Sequence, residues 1–148
     1  MALPILFSLL FSSLGHASLQ GLIRDASHRA HLDSRLVEAM VTVESNFRAK
    51  AVSQKGAQGL MQVMPSFTDQ CEIHSPFNAV DNLMGACDCL RRLINRYRGD
   101  LRLALAAYNA GPTQVDRYKG VPPFPETMEY VKKVMSLYQR SKENDFRG

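Results

Sequence analysis

The sequence predicts a mainly α-helical single domain. Apolar residues recur at helical spacing in one segment after another, and no stretch alternates long enough to make a convincing strand. The 148 residues suffice for one core and are too few for two. An apolar content of 45% against 22% charged is an ordinary globular balance, which excludes a disordered or fibrous chain. No internal repeat or low-complexity tract interrupts the pattern.

The first 17 residues stand apart. Met1 to Ala17 contains no Lys, Arg, Asp or Glu, and Ile5 to Phe11 is an apolar run. Gly15 and Ala17 supply the small residues of a cleavage site, so residues 1–17 read as a secretory signal and 18–148 as the mature domain. No Lys or Arg precedes the run, which keeps a buried N-terminal helix as the competing reading. The run is shorter than the roughly 20 apolar residues a spanning helix needs, so no stable membrane span is expected.

Beyond the leader, Leu19, Leu22, Ile23, Ala26 and Ala30 define a first helix. Asp33 or Ser34 caps a second, running to about Phe47. Residues 48–65 hold two glycines and small polar residues and read as a structured loop with room for a short hairpin. Pro65 and Ser66 open a short helix toward Gln70, and Ser75-Pro76 breaks the chain again. A long helix follows from about Val80 to Tyr97, with Leu83, Cys87, Leu90, Ile94 and Tyr97 on one face and Gly99 as its stop. Asp100 caps Leu101 to Ala110, apolar all round and terminated by Gly111-Pro112. Val121 to Pro125 is an extended connection, after which Pro125 and Glu126 start the last helix. Its expected stripe is Met128, Val131, Met135 and Tyr138, and Ser141 to Gly148 reads as a frayed tail.

The second helix carries a carboxylate in an unexpected place. With Leu36 at zero and about 100° per residue, Met40 falls near 40°, Glu44 near 80° and Val37 near 100°. Glu44 thus sits inside the apolar stripe, where an ionised, unpaired carboxylate costs several kcal/mol. Burial raises such a pKa, and a carboxyl that stays protonated near neutral pH is what a general acid requires. The competing readings are a Glu paired with an internal Arg, or one at a helix end reaching water.

Four motifs then appear in order: Glu44-Ser45-Asn46-Phe47, Gly56-Ala57-Gln58-Gly59-Leu60-Met61-Gln62-Val63-Met64-Pro65, Ala106-Ala107-Tyr108-Asn109-Ala110-Gly111, and Pro125-Glu126-Thr127 with Tyr130-Val131. Together they resemble the catalytic domain of the soluble lytic transglycosylases, of the goose-type lysozyme-like superfamily, over roughly residues 20 to 140. The resemblance implies a lysozyme-like single domain with a cleft between helices and no cofactor. It implies Glu44 as the catalytic acid/base, and Ser53, Gln62, Met64, Tyr108, Asn109, Glu126 and Tyr130 as residues facing the sugar cleft. Tyrosine faces suit sugar rings, Asn109 offers a donor and an acceptor to an acetamido group, and methionines make an adaptable apolar wall. The implied partner is the glycan strand of peptidoglycan, in the periplasm or outside the cell. Small single-domain relatives of this size accompany secretion systems, conjugation machinery or phage particles. Phe67, Ala86 and Cys89 stand where the family often has Thr, Gly and Tyr, which leaves helix packing around 86–89 open. A hydrolytic lysozyme and a non-catalytic glycan-binding module are the alternatives.

The remaining features are weaker. A net charge of +4 suits a cell wall, a nucleic acid or an anionic membrane without choosing among them. No nucleic-acid motif is present, and Arg91, Arg92, Arg96 and Arg98 read as a solvated helix face. Cys87-Asp88-Cys89 is not a CxxC motif and the histidines are scattered, so no metal site is expected. Cys87 and Cys89 lie about 200° apart on a helix and cannot readily pair. If a bridge forms, it therefore joins Cys71 to one of them; Cys71–Cys87 would close a short loop.

Overall fold

The computed structural model describes residues 19–145 and 147, so the apolar leader lies outside the described residues. Among the described residues there are six α-helices and one short 3-10 turn, with two isolated β-bridges in place of strands. Helix α1 covers residues 19–29. Helix α2, Ser34–Ser45, is capped by the Asp33 side chain, which accepts from the Arg35 N–H, and closes on Asn46 in the left-handed conformation. Helix α3 is Ala79–Arg96, α4 Leu101–Ala110, α5 Pro112–Tyr118 and α6 Pro125–Asp145. Asn78 and Asp100 cap α3 and α4 through their side chains.

Helix α6 packs on α2 and α4, and α4 packs on α3 and α5. The central helix α4 is accordingly apolar around most of its girth: Ala104, Leu105, Ala106 and Ala107 are all buried. Small side chains there let three other helices approach one short helix.

Four expectations need correction. Gly111-Pro112 does end α4, but Pro112 also takes the first position of α5, where its missing N–H costs nothing. Helix α6 continues through Asp145 instead of fraying from Ser141, and Arg35 reaches Asp145 at 2.7 Å. Met128 is exposed; Thr127, Tyr130, Val131, Val134 and Tyr138 form the buried face of α6. The arginines of α3 do more than meet water. Arg91 donates to the carbonyls of Ala30 and His31, Arg92 to that of Gln70, and Arg96 pairs with Asp116 on α5.

The long loop between α2 and α3 is held by a small set of long-range contacts. Gln58 and Val63 exchange both backbone hydrogen bonds at 3.0 Å, and Ser53 and Ala57 close a tight turn. Asn82 of α3, fully buried, fastens this loop from beneath. Its amide nitrogen donates to the carbonyls of Gln58 and Pro76, and its oxygen accepts from the Met61 N–H at 2.8 Å. Gly59 makes the approach possible: its φ is +79°, and a Cβ there would lie 2.2 Å from the Pro76 carbonyl and 2.4 Å from the Asn82 amide nitrogen.

The segment after the loop is tied covalently. Cys71 is bonded to Cys89, and Cys87 is the free, buried thiol. Cys87 faces the core with Leu83 and Leu90, so the cysteine left on the outer side of α3 is the one that meets Cys71. Close packing here is met at Gly85, one residue before Ala86. A Cβ on Gly85 would lie 2.4 Å from both the Cys71 carbonyl and the Ile73 side chain.

Candidate active site

Glu44 lies in the last turn of α2, beside the fully buried Met40 and Val37. The residue keeps some exposed area, but its carboxyl is densely enclosed by protein. Burial, assisted by the charge of Glu126, pushes its pKa from the ordinary 4.5 up to about 8. The Tyr130 hydroxyl opposes that rise. It is buried and, among the described residues, completes no hydrogen bond of ordinary length and angle; the group it is coupled to is the Glu44 carboxyl. A donor poised beside a carboxylate favours the ionised form once the proton has left.

Tyr108 stands close enough to Glu44 to feel its charge, and its own hydroxyl donates to the Met61 carbonyl at 2.8 Å. Helix α4 thereby holds the loop while presenting a tyrosine ring near the acid. The next residue, Asn109, accepts from the Thr127 hydroxyl at 2.8 Å, joining the end of α4 to the start of α6. Glu126, in the first turn of α6, is exposed and pairs with Lys55 of the loop at 2.7 Å.

Three of the expected cleft residues have visible structural duties. The Gln62 amide nitrogen donates to the carbonyls of Ala51 and Gly59, using both its hydrogens and leaving its oxygen. This holds the residue at a left-handed φ of 50°. The Ser53 hydroxyl accepts from the Ala57 N–H in an exposed turn, with no bond to Glu44 among the described residues. Met64, half-buried, caps the 3-10 turn at Pro65–Phe67. Asn82, Lys55 and Thr127 were not singled out by sequence; their roles depend on partners 24, 71 and 18 residues away.

Among the acidic residues, Asp81 accepts from the backbone of His74 and Ser75, Asp88 pairs with Arg29, and Asp100 caps α4. The carboxylate that Glu44 feels is Glu126. No group of His, Cys, Asp and Glu among the described residues could hold a metal, and no described helix is long and apolar enough to cross a membrane.

The family model for the transglycosylase SLT domain matches residues 21–131, which include Glu44, Tyr108, Glu126 and Tyr130. The chain belongs to the transglycosylase SLT domain family. A transglycosylase of Enterobacteria phage PRD1 is 36% identical over 91 residues, 62% of this chain and 34% of the phage protein. The lytic transglycosylase Slt of Pseudomonas aeruginosa, solved as an inactive mutant, superposes with a TM-score of 0.71 and 27% identity. The 70 kDa soluble lytic transglycosylase of Escherichia coli does so with 0.71 and 26%. Each superposition covers 80% of this chain and 23% of the solved one. The chain thus spans about a third of the phage relative's length and about a quarter of the solved enzymes. The lysozyme-like helical fold expected from sequence is the fold of this family's solved members.

Proposed function

We propose that this chain is a peptidoglycan lytic transglycosylase that cleaves the β-1,4 bond between N-acetylmuramic acid and N-acetylglucosamine without water. The observation that carries the reading is Glu44: a buried carboxyl with its pKa raised to about 8, electrostatically coupled to Tyr108 and Tyr130, in a transglycosylase SLT domain. Protonated at neutral pH, Glu44 donates to the glycosidic oxygen as the bond from that oxygen to the muramyl C1 breaks. The electron deficit at C1 is met by the substrate's own N-acetyl oxygen. The Glu44 carboxylate, favoured at that moment by the Tyr130 hydroxyl, then takes the proton from the muramyl C6 hydroxyl, whose oxygen bonds to C1, displaces the N-acetyl oxygen and closes a 1,6-anhydro ring. One carboxylate serves both steps, so the usual glycosidase pair is not needed. Gln62, Met64, Asn109 and Ser53 would line the strand's path.

The competing hydrolytic reading would need a second carboxylate, and Glu126 is the one nearby. Lys55 occupies it at the exposed rim. Mass spectrometry of digested peptidoglycan separates the two, because the anhydro product is lighter by one water. Products ending only in reducing sugars would move the protein to the lysozymes.

The raised pKa gives the reaction a direction in pH. Activity is expected to hold while Glu44 is protonated and to fall as pH rises through about 8. A pH–rate profile whose alkaline limb begins near pH 5 would contradict this. The chain is also proposed to be exported to the periplasm or beyond, to open the wall for a secretion, conjugation or phage apparatus. N-terminal sequencing of the native protein should then read from Ser18, and a start at Met1 or Ala2 would remove the export claim.

A further inference from the structure

Thr127, in the first turn of α6, is almost wholly buried. Its hydroxyl donates to the Asn109 Oδ1 at 2.8 Å and has no other acceptor among the described residues. A buried hydroxyl proton needs an acceptor. Were the Asn109 amide turned over, its nitrogen would face the hydroxyl and that proton would be stranded. Thr127 therefore fixes the amide, with the oxygen on the hydroxyl and the nitrogen directed away from it. The nitrogen carries two donors that complete no bond among the described residues. Asn109 is half-buried, and the buried side-chain atom without a partner is the Tyr130 hydroxyl, so the Asn109 donors reach solvent.

This bond joins the two helices that carry the tyrosines of the site. Asn109 follows Tyr108 on α4, and Thr127 shares the buried face of α6 with Tyr130, one turn on. Both tyrosines are coupled to Glu44. Fixing the amide restricts what it can serve. A sugar hydroxyl both donates and accepts, so either end of an amide suits it and a fixed orientation gains nothing. A carbonyl oxygen only accepts, and it requires the nitrogen end. Each sugar of a peptidoglycan strand carries such a carbonyl in its acetamido group.

We propose that Thr127 is a positioning residue whose hydroxyl holds Asn109 with its amide nitrogen toward an acetamido carbonyl of the glycan. The inference rests on the reading of the cleft as a glycan site. It gives Asn109 a fixed polarity: the residue serves the strand as a donor, because its oxygen is engaged inside the protein. Thr127 touches no sugar and acts through Asn109.

Calorimetry with the β-1,4-linked tetramer of N-acetylglucosamine tests the proposal in the Glu44→Gln protein, where nothing turns over. The tetramer has acetamido carbonyls and no carboxylate. Thr127→Val keeps the side chain's shape and frees the amide, and should weaken binding about three- to tenfold. Thr127→Ser keeps the hydroxyl and should stay within about twofold of the parent. Asn109→Asp can still accept from Thr127 but has no donor, and should lose about tenfold or more. A bond that merely joined two helices would survive that change with affinity intact. Adding Thr127→Val to Asn109→Asp should cost no further affinity, because Thr127 acts only through the amide. Undiminished affinity in either the Val or the Asp variant would overturn the proposal, as would additive losses in the pair. A parent protein that takes no tetramer would count against the glycan reading of the cleft as well; tetramer binding indifferent to Thr127 would sink this inference alone.

Discussion

Glu44→Gln is expected to fold, to be more stable than the wild type at neutral pH, and to lose turnover by several orders of magnitude. One acid/base role is typically worth about 10²–10⁴ in rate, and here the acid step and the base step share one group. The stability gain follows from the sign of the shift. The folded state binds the Glu44 proton more tightly than the unfolded chain does, with a pKa of about 8 against 4.5. Burial of this carboxyl therefore costs nothing below the unfolded value; the cost grows as pH rises toward about 8 and is constant above it. Near pH 7 the penalty is roughly 3 kcal/mol, and glutamine does not carry it. Thermal unfolding at pH 4 should show the two proteins alike, and at pH 7 the variant ahead. A variant that keeps full activity on sacculi would take Glu44 out of the mechanism. A variant no more stable than wild type at pH 7 would mean the carboxyl is better solvated than the structure indicates.

Reducing the Cys71–Cys89 bond should be the largest single loss of stability. It spans 18 residues, which corresponds to about 3 kcal/mol of stabilisation and a fall in Tm of roughly 10 °C for a domain of this size. Cys71→Ser with Cys89→Ser should reproduce the effect of reductant and then respond to reductant no further, because Cys87 is buried and unpaired. The denatured, non-reduced wild type should contain one reactive thiol. Three thiols, or a Tm indifferent to reductant, would rule the bridge out.

Periodicity in the sequence revealed α1, α2, α3, α4 and α6, because each has an apolar stripe that one window of residues displays. Helix α5 escaped it: seven residues opened by Gly111-Pro112 look like a terminator until the next turn is seen to begin on that proline. The angular position of Glu44 between Met40 and Val37 was readable for the same local reason. Helical spacing also put Cys87 on the apolar face of α3, but the sequence reading left both partners for Cys71 open and weighed Cys71–Cys87; the bond is to Cys89. What could not be read is how the loop is held. Asn82 meets Gln58 across 24 residues and Tyr108 meets Met61 across 47, and no local pattern records which distant carbonyl a side chain will find. Arg91 and Arg92 looked like a solvated face because their acceptors are backbone carbonyls, to which every residue type contributes equally, and Arg96 because its partner Asp116 lies 20 residues away.

The Asn82 anchorage has a consequence for how this domain can change over generations. Asparagine there uses its donor and its acceptor at once, toward three backbone groups from two stretches of chain, the 58–61 loop and Pro76. An ionised aspartate could not donate, and leucine would strand the Met61 N–H and the Pro76 carbonyl. Gly59, which lets that amide come close, has no other residue that fits its φ and its neighbours. Neither position can drift alone, so the two form one inherited unit. Positions 59 and 82 should stay fixed or change together.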